Sequence, residues 1–393
     1  MRHFIAQVIR YSHNTIFVVS ILFLLWLLVQ FYLIKVYGGA VTAVDSPIYI
    51  EDANRLLNGS LPEGRTIWYT SYSLFLSSVF FLWGGIHEVM LAQMALSGIA
   101  AICLYFLSLK ITSDRLAAAL SVLFYLLWVK IHHWNVFIYS ESLFTSFGII
   151  SITVLIKSKH PWQYLLSTLL LLYTFFIRPS GFGFFVGLLA YGFSFVHYRQ
   201  FPKWALAAFV FLMIAVTTLL LNKMLTDYIL VESYAKAEII YPNITLGFEP
   251  PTNLVIPSNN YTPLVRLILF ALYNPLYFVK ISLFKMGLFL ANIKPYFSAV
   301  HNIAIVSMLY PLYLFAVKGY VNLTHHSKIR YFIVSYVLAQ TLIVTLTTEN
   351  WDGRFLVPIL PFIFILSATG ISLVLRNKFQ LPHSAERKST LRI

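Results

Sequence analysis

The chain has 393 residues, of which 59% are hydrophobic and only 11% charged. Soluble domains run near half apolar and a quarter charged, so that class is excluded. The net charge of +14 would suggest nucleic acid in a soluble protein, but its placement along this chain has another explanation.

The apolar residues fall in blocks of about twenty, the length of a helix that crosses a bilayer. In chain order the predicted spans are 15–36, 89–109, 116–132, 138–156, 162–177, 181–198, 203–222, 299–317, 329–348 and 354–375. The first follows Arg2 and Arg10, as a signal peptide would. Its apolar core is too long for one and no small-residue cleavage site follows, so it is read as an uncleaved span. The lone cysteine, Cys103, lies mid-span and rules out an intramolecular disulfide and a cysteine-based metal site. The predicted fold is an all-α polytopic membrane protein, with one domain over 1–375 and a basic tail over 376–393.

Ten spans put both termini on one side. That side holds 16 of the 28 basic residues against two acids, Asp114 and Glu386, while the other 12 basic and 12 acidic residues cancel. The positive-inside rule assigns this face to the cytoplasm, and the charge needs no nucleic acid to explain it.

Two longer segments then fall on the outer face. The first, 37–88, begins with the acid-rich stretch Val44–Gly59, in which a short amphipathic helix runs from about Pro47 to Leu57. Tyr69–Gly84 follows, apolar but short and serine-laced; it is read as an interfacial helix, with a shallow span as the alternative. The second, 223–298, opens on turn formers and ends in an aromatic run broken at Asn274-Pro275 that carries Arg266, Lys280 and Lys285. One or two interfacial helices with lysines toward phosphates suit the charge pattern; a single tilted span is the alternative.

Ionisable residues at the outer ends of the spans are the candidate site. Asp45 sits just past the first span, where it either caps the next helix or acts chemically. Glu51 and Asp52 fit ordinary complements to a helix dipole. Glu141 lies a turn inside a span, where a charge is costly and needs a partner or a cavity. His132 and His133 precede it, either as interfacial anchors or, with the carboxylates, as ligands of a divalent cation. Arg178 stands beside the helix breakers Pro179 and Gly181, and its planar fork suits a phosphate. In the last outer loop Glu349, Asp352 and Arg354 are close enough to pair, unless Arg354 points into the same cavity as Arg178. Carboxylates beside phosphate-binding cations suit a reaction in which a base activates a hydroxyl while cations stabilise a phosphate leaving group.

Five motifs in order carry a resemblance: Asp45-Ser-Pro-x-Tyr-x-x-x-Ala-x-x-Leu-Leu-x-Gly59, Tyr69-Thr-Ser-Tyr-Ser-Leu-Phe-Leu76, Tyr139-Ser-Glu-Ser-Leu-Phe144, Ile177-Arg-Pro-Ser-Gly181 and Gly353-Arg-Phe-Leu-Val-Pro-Ile-Leu-Pro361. The chain resembles the GT-C integral membrane glycosyltransferases over about 15–375. Its nearest likeness is to the polyprenyl-phosphate-sugar enzymes, protein O-mannosyltransferases and lipid A aminoarabinose transferases. The resemblance implies that Asp45 is the catalytic base or organises the acceptor hydroxyl. Glu141 would be the second acid of the cavity, and Arg178 and Arg354, with Lys294 nearby, would bind the lipid-linked phosphate. Tyr49 and Tyr72, from the first two motifs, are expected to contact substrate. A divalent metal, if held, would sit on Asp45, Glu141 and His133. The sequence departs from the family where Ser46 replaces a common Glu, which weakens a metal on adjacent acids, and where Glu141 replaces a common Asp. The expected activity is inverting sugar transfer from a polyprenyl-phosphate donor to a glycan, lipid or protein hydroxyl outside the cytoplasmic membrane. A carrier or flippase for lipid-linked saccharides, or an inactive relative, are the rival readings.

Overall fold

In hydrocarbon every backbone N–H and C=O must find a partner within the chain, and helices meet that demand locally. The computed structural model describes residues 15–195, 202–226, 228, 230–240, 242–323, 328–347 and 351–379. It is all-helical, at 77% helix, with no strand among the described residues. An isolated parallel bridge joins Val41 to Phe137.

The helices are α1 (Thr15–Tyr37), α2 (Ser46–Leu57), α3 (Thr70–Trp83), α4 (Ile86–Thr112), α5 (Arg115–Leu127), α6 (Val129–His133), α7 (Ser140–Lys157), α8 (Pro161–Phe175), α9 (Gly181–Phe193), α10 (Lys203–Leu225), α11 (Leu230–Ala235), α12 (Pro263–Tyr273), α13 (Pro275–Ala291), α14 (Ala299–Asn322), α15 (Ile329–Leu346) and α16 (Leu360–Phe379). Among the described residues six are long and apolar enough to cross a membrane: α1, α4, α7, α14, α15 and the Val357–Phe379 stretch that includes α16. A seventh arises only if α12 and α13 are one crossing, yet they meet at 112°. The bend falls at Asn274, whose backbone (φ −129°, ψ 54°) leaves the helical range just before Pro275. Among the described residues the long apolar helices thus number six or seven, against ten expected spans, and α5 and α9, at 13 residues each, are short.

Boundaries move where proline intervenes. The last span was expected from residue 354, but α16 begins at Leu360 because a 3₁₀ turn at Val357–Ile359 takes up Pro358 first. Small residues set the closest helix crossing. A methyl group on Gly319 of α14 would strike the Leu366 carbonyl of α16, and one on Gly370 would strike that of Phe315.

The helix ends form two layers. One gathers the C-terminus of α1, the α2–α3 segment, α6 and the α8–α9 break, through Tyr37 with His133, Asp45 with Tyr139, and the Ser71 N–H on the Phe176 carbonyl. At the opposite layer Asp114 accepts from Arg376 Nη2 at 2.8 Å and from Ser372. A large core fills the bundle between them. A second, smaller apolar cluster around Tyr234, Ile239 and Phe270 packs beside Trp68 and Phe175.

Candidate functional site

Asp45 holds the position of an N-cap, with Pro47 in the first turn after it, but its carboxylate makes no cap bond. Ser46 takes over the local work: its hydroxyl accepts from the Ala43 N–H at 3.0 Å and donates to the Ile138 carbonyl at 3.1 Å. The Asp45 N–H meanwhile donates to the Tyr139 hydroxyl at 3.3 Å. Released from capping, Asp45 Oδ2 lies 2.9 Å from Arg354 Nη1. The same nitrogen is 3.8 Å from Glu141 Oε1, which in turn is 3.1 Å from Arg178 Nη1.

Four charges from four segments thus alternate in sign: Asp45, Arg354, Glu141, Arg178. They also run from wet to dry, with side-chain exposures of 31%, 14%, 3% and 3%. The inner pair therefore depends on itself for charge compensation, whereas Asp45 faces solvent. Phe355 borders both cations, its ring centre 4.9 Å from Arg178 Cζ and 5.3 Å from Arg354 Cζ.

Local chemistry explains the placement of the arginines. Arg178 stands where α8 ends, and a side chain on Gly181 would collide with the Phe175 carbonyl, so the chain reverses there with Arg178 turned inward. Its Nε has no hydrogen-bond partner, nor have the buried hydroxyls of Ser140 and Ser180 that flank the inner pair in sequence. Such donors are costly to leave unmet and suit an oxygen-rich ligand. Arg354 follows two consecutive left-handed residues, Asp352 (φ 54°) and Gly353 (φ 69°). Gly353 takes a positive φ that strains any other residue, and the Asn292 amide would have to move to admit a side chain there.

That turn sends Asp352 to a second cluster. Asp352 Oδ2 pairs with Lys130 and lies 3.8 Å from His133 Nε2, and the Tyr296 hydroxyl accepts from the Asp352 N–H at 3.0 Å. Lys294 lies here, wholly buried, its ammonium without a hydrogen bond. Burial pulls Lys294 down to about 8, with Asp352 opposing. Lys294, expected beside the phosphate-binding arginines, thus lies near Asp352 in this second cluster.

The metal set Asp45, Glu141 and His133 is not brought together. Burial, and then Lys130, lowers His133 to about 3, and its Nδ1 lies 2.7 Å from the Tyr37 hydroxyl, turned away from both acids. The two carboxylates face arginines, and no group of three or more metal-ligating side chains occurs among the described residues. The donor set does not fit a cation.

His132 is an interior cross-link. Its Nε2 must donate to the Tyr125 carbonyl (3.1 Å), so Nδ1 accepts from Ser97 (3.2 Å) and Gln30 Nε2 (3.4 Å). Tyr72 is fully buried and its hydroxyl donates to Gln93 Oε1 at 3.1 Å, so that group is already engaged. Tyr49 packs edge-on against Tyr72 and Tyr139 and tilts onto Tyr69, forming the wall behind Asp45. Of the expected trio in the last loop, Glu349 lies outside the described residues, while Asp352 and Arg354 go to different partners.

No protein-family model matches the chain, and no curated protein matches it significantly. Two residues near the site escape a sequence reading. Neither acid falls in the first turn of α2, where it would complement the helix dipole: Glu51 pairs with Arg55 in solvent, and its neighbour Asp52 is 3% exposed with Oδ2 unpartnered. Lys130, in a short apolar stretch, supplies the ion pair that holds Asp352. The only signal for either is a charged residue on the apolar side of a short helix.

Proposed function

We propose that the protein is an inverting glycosyltransferase that takes a sugar from a polyprenyl-phosphate donor and passes it to an acceptor hydroxyl at the extracytoplasmic face of a cytoplasmic membrane. The observation that carries this reading is the array in which Asp45, Arg354, Glu141 and Arg178 alternate within 2.9–3.8 Å. In this reading ten helices cross the bilayer, both termini are cytoplasmic, and the array lies at the outer water line. The lipid tail of the donor runs between helices.

The chemistry follows from charge. The donor phosphate engages Arg178 and Arg354, and its negative charge replaces Asp45 as partner of Arg354. The freed Asp45 carboxylate takes the acceptor proton as the acceptor oxygen bonds to the anomeric carbon. The bond from that carbon to the phosphate oxygen breaks, and polyprenyl phosphate leaves with the electron pair. One displacement inverts the centre. Glu141, locked to Arg178 in the dry interior, fixes the inner cation in place and takes no proton.

Full-length protein with a polyprenyl-phosphate-sugar panel and glycan acceptors tests this. Asp45→Asn should lower transfer by about 10²–10⁴-fold with an unchanged melting temperature. Full activity in that variant overturns the mechanism.

A further inference from the structure

Beside the four-charge array, the smaller apolar cluster encloses a second set of buried polar groups. Lys285 on α13 is 2% exposed and its ammonium makes no hydrogen bond; it rests 4.0 Å above the Tyr234 ring. Glu238 is 2% exposed as well; Oε1 accepts from the Asn243 N–H at 3.2 Å, and Oε2 has no partner. No ion pair joins the two. Thr345 Oγ1 and Gln340 Oε1, both buried on α15, are unmatched too. The Tyr234 hydroxyl donates to the Thr345 carbonyl at 2.8 Å, so Lys285, Tyr234 and Thr345 form one connected group.

Buried polar atoms in this number call for a ligand that both donates and accepts. A second phosphate would meet the Glu238 carboxylate, and a metal ion would meet the Lys285 ammonium. A neutral hydroxylated ring suits both: one hydroxyl accepts from Lys285 and another donates to Glu238 Oε2, while Tyr234, with Phe278 stacked on its ring, supports the Lys285 ammonium. The position also matches. Gln340 donates to the Phe355 carbonyl at 3.1 Å, and Phe355 borders Arg178. Thr345 is five residues further along α15, about 7.5 Å from Gln340 by helical rise, so the same helix borders both the phosphate cations, through Phe355, and this polar group.

We propose that Lys285, Glu238, Tyr234 and Thr345 form a saccharide subsite that takes the glycosyl unit of the lipid-phosphate donor. This rests on the glycosyltransferase reading, and the test separates the two. The probes are farnesyl phosphate and its mannosyl, glucosyl, N-acetylglucosaminyl and arabinosyl phosphodiesters, bound to the full chain in nanodiscs. At least one phosphodiester should bind ten or more times tighter than the bare phosphate. Glu238→Gln and Lys285→Met should each abolish that advantage and leave farnesyl phosphate affinity unchanged. Arg354→Gln should instead weaken the bare phosphate; if it does not, the phosphate assignment of the parent reading fails. The subsite is overturned if no sugar gives an advantage in the native chain. It is overturned equally if the advantage survives both variants, or if all probes weaken together as the melting temperature falls. A compartment filled by water only would give a double variant, Glu238→Gln with Lys285→Met, of equal or higher stability and intact sugar preference.

Discussion

Two aspartates occupy the same local position at opposite ends of the bundle. Asp114 and Asp45 each precede a helix, and each pairs with an arginine at one end of α16 or just before it. Asp114 is spent on structure. It caps α5 through the Leu116 N–H at 2.9 Å and accepts from Ser372 and from two nitrogens of Arg376. Burial alone would raise its carboxyl, but the hydrogen bonds from Arg376 and Ser372 outweigh it and hold Asp114 below the usual range. Asp45 caps nothing, makes one ion pair and keeps a face to solvent. A carboxylate saturated by its own chain is a fastener. One held by a single exchangeable cation is available to a ligand.

Substitutions at the two positions should therefore split cleanly. The largest effect is on rate, the loss of transfer set out above for Asp45→Asn. Glu141→Gln comes next, because it strands Arg178 in the dry interior; removing one partner of a buried pair costs about 3–5 kcal/mol, read as a lower denaturation midpoint. Adding Arg178→Met should restore most of that stability and leave the protein unable to bind lipid phosphate. Asp114→Ala, which loses a cap and frees Arg376, should cost about 2–3 kcal/mol with transfer rate per folded molecule unchanged. A rate loss there equal to that at Asp45 would erase the distinction between the two ends.

The second cluster sharpens the comparison through pH. Lys294 is held near 8 by burial, below the ordinary lysine value. The folded chain therefore binds fewer protons than the unfolded one between that value and the unfolded lysine value, so this group makes stability rise with pH across that window. Lys294→Met should flatten that stability profile and leave the affinity for a lipid phosphate, which rests on Arg178 and Arg354, with an unchanged dependence on pH across it. The smallest effect is expected at Tyr72→Phe, about 1 kcal/mol from the bond to Gln93, without loss of transfer.

Asp45, Glu141, Arg178 and Arg354 were legible in the chain because each is an ionisable group at the end of an apolar run, where a charge demands a partner. Which partner was not legible. Asp45 and Arg354 are 309 residues apart, and the last loop offered Arg354 the nearer Asp352 and Glu349. Lys285 reads as a head-group anchor until the fold buries it against Tyr234. Asp52 hides beside Glu51 because adjacent helix residues point about 100° apart, and only packing decides which one goes inward. The tally of membrane crossings differs for a related reason: the apolar runs 116–132 and 181–198 read as full spans, whereas their helices α5 and α9 are 13 residues each.

Asp352 and Gly353, wound left-handed one after the other, make the final loop a crank. One throw carries the carboxylate that Lys130 holds, the next carries the guanidinium that steadies Asp45, and Asn292 clamps the pivot. A residue other than glycine at 353 should therefore disturb the Lys130–Asp352 and Arg354–Asp45 pairs together, read as a single loss of stability that neither pair alone accounts for.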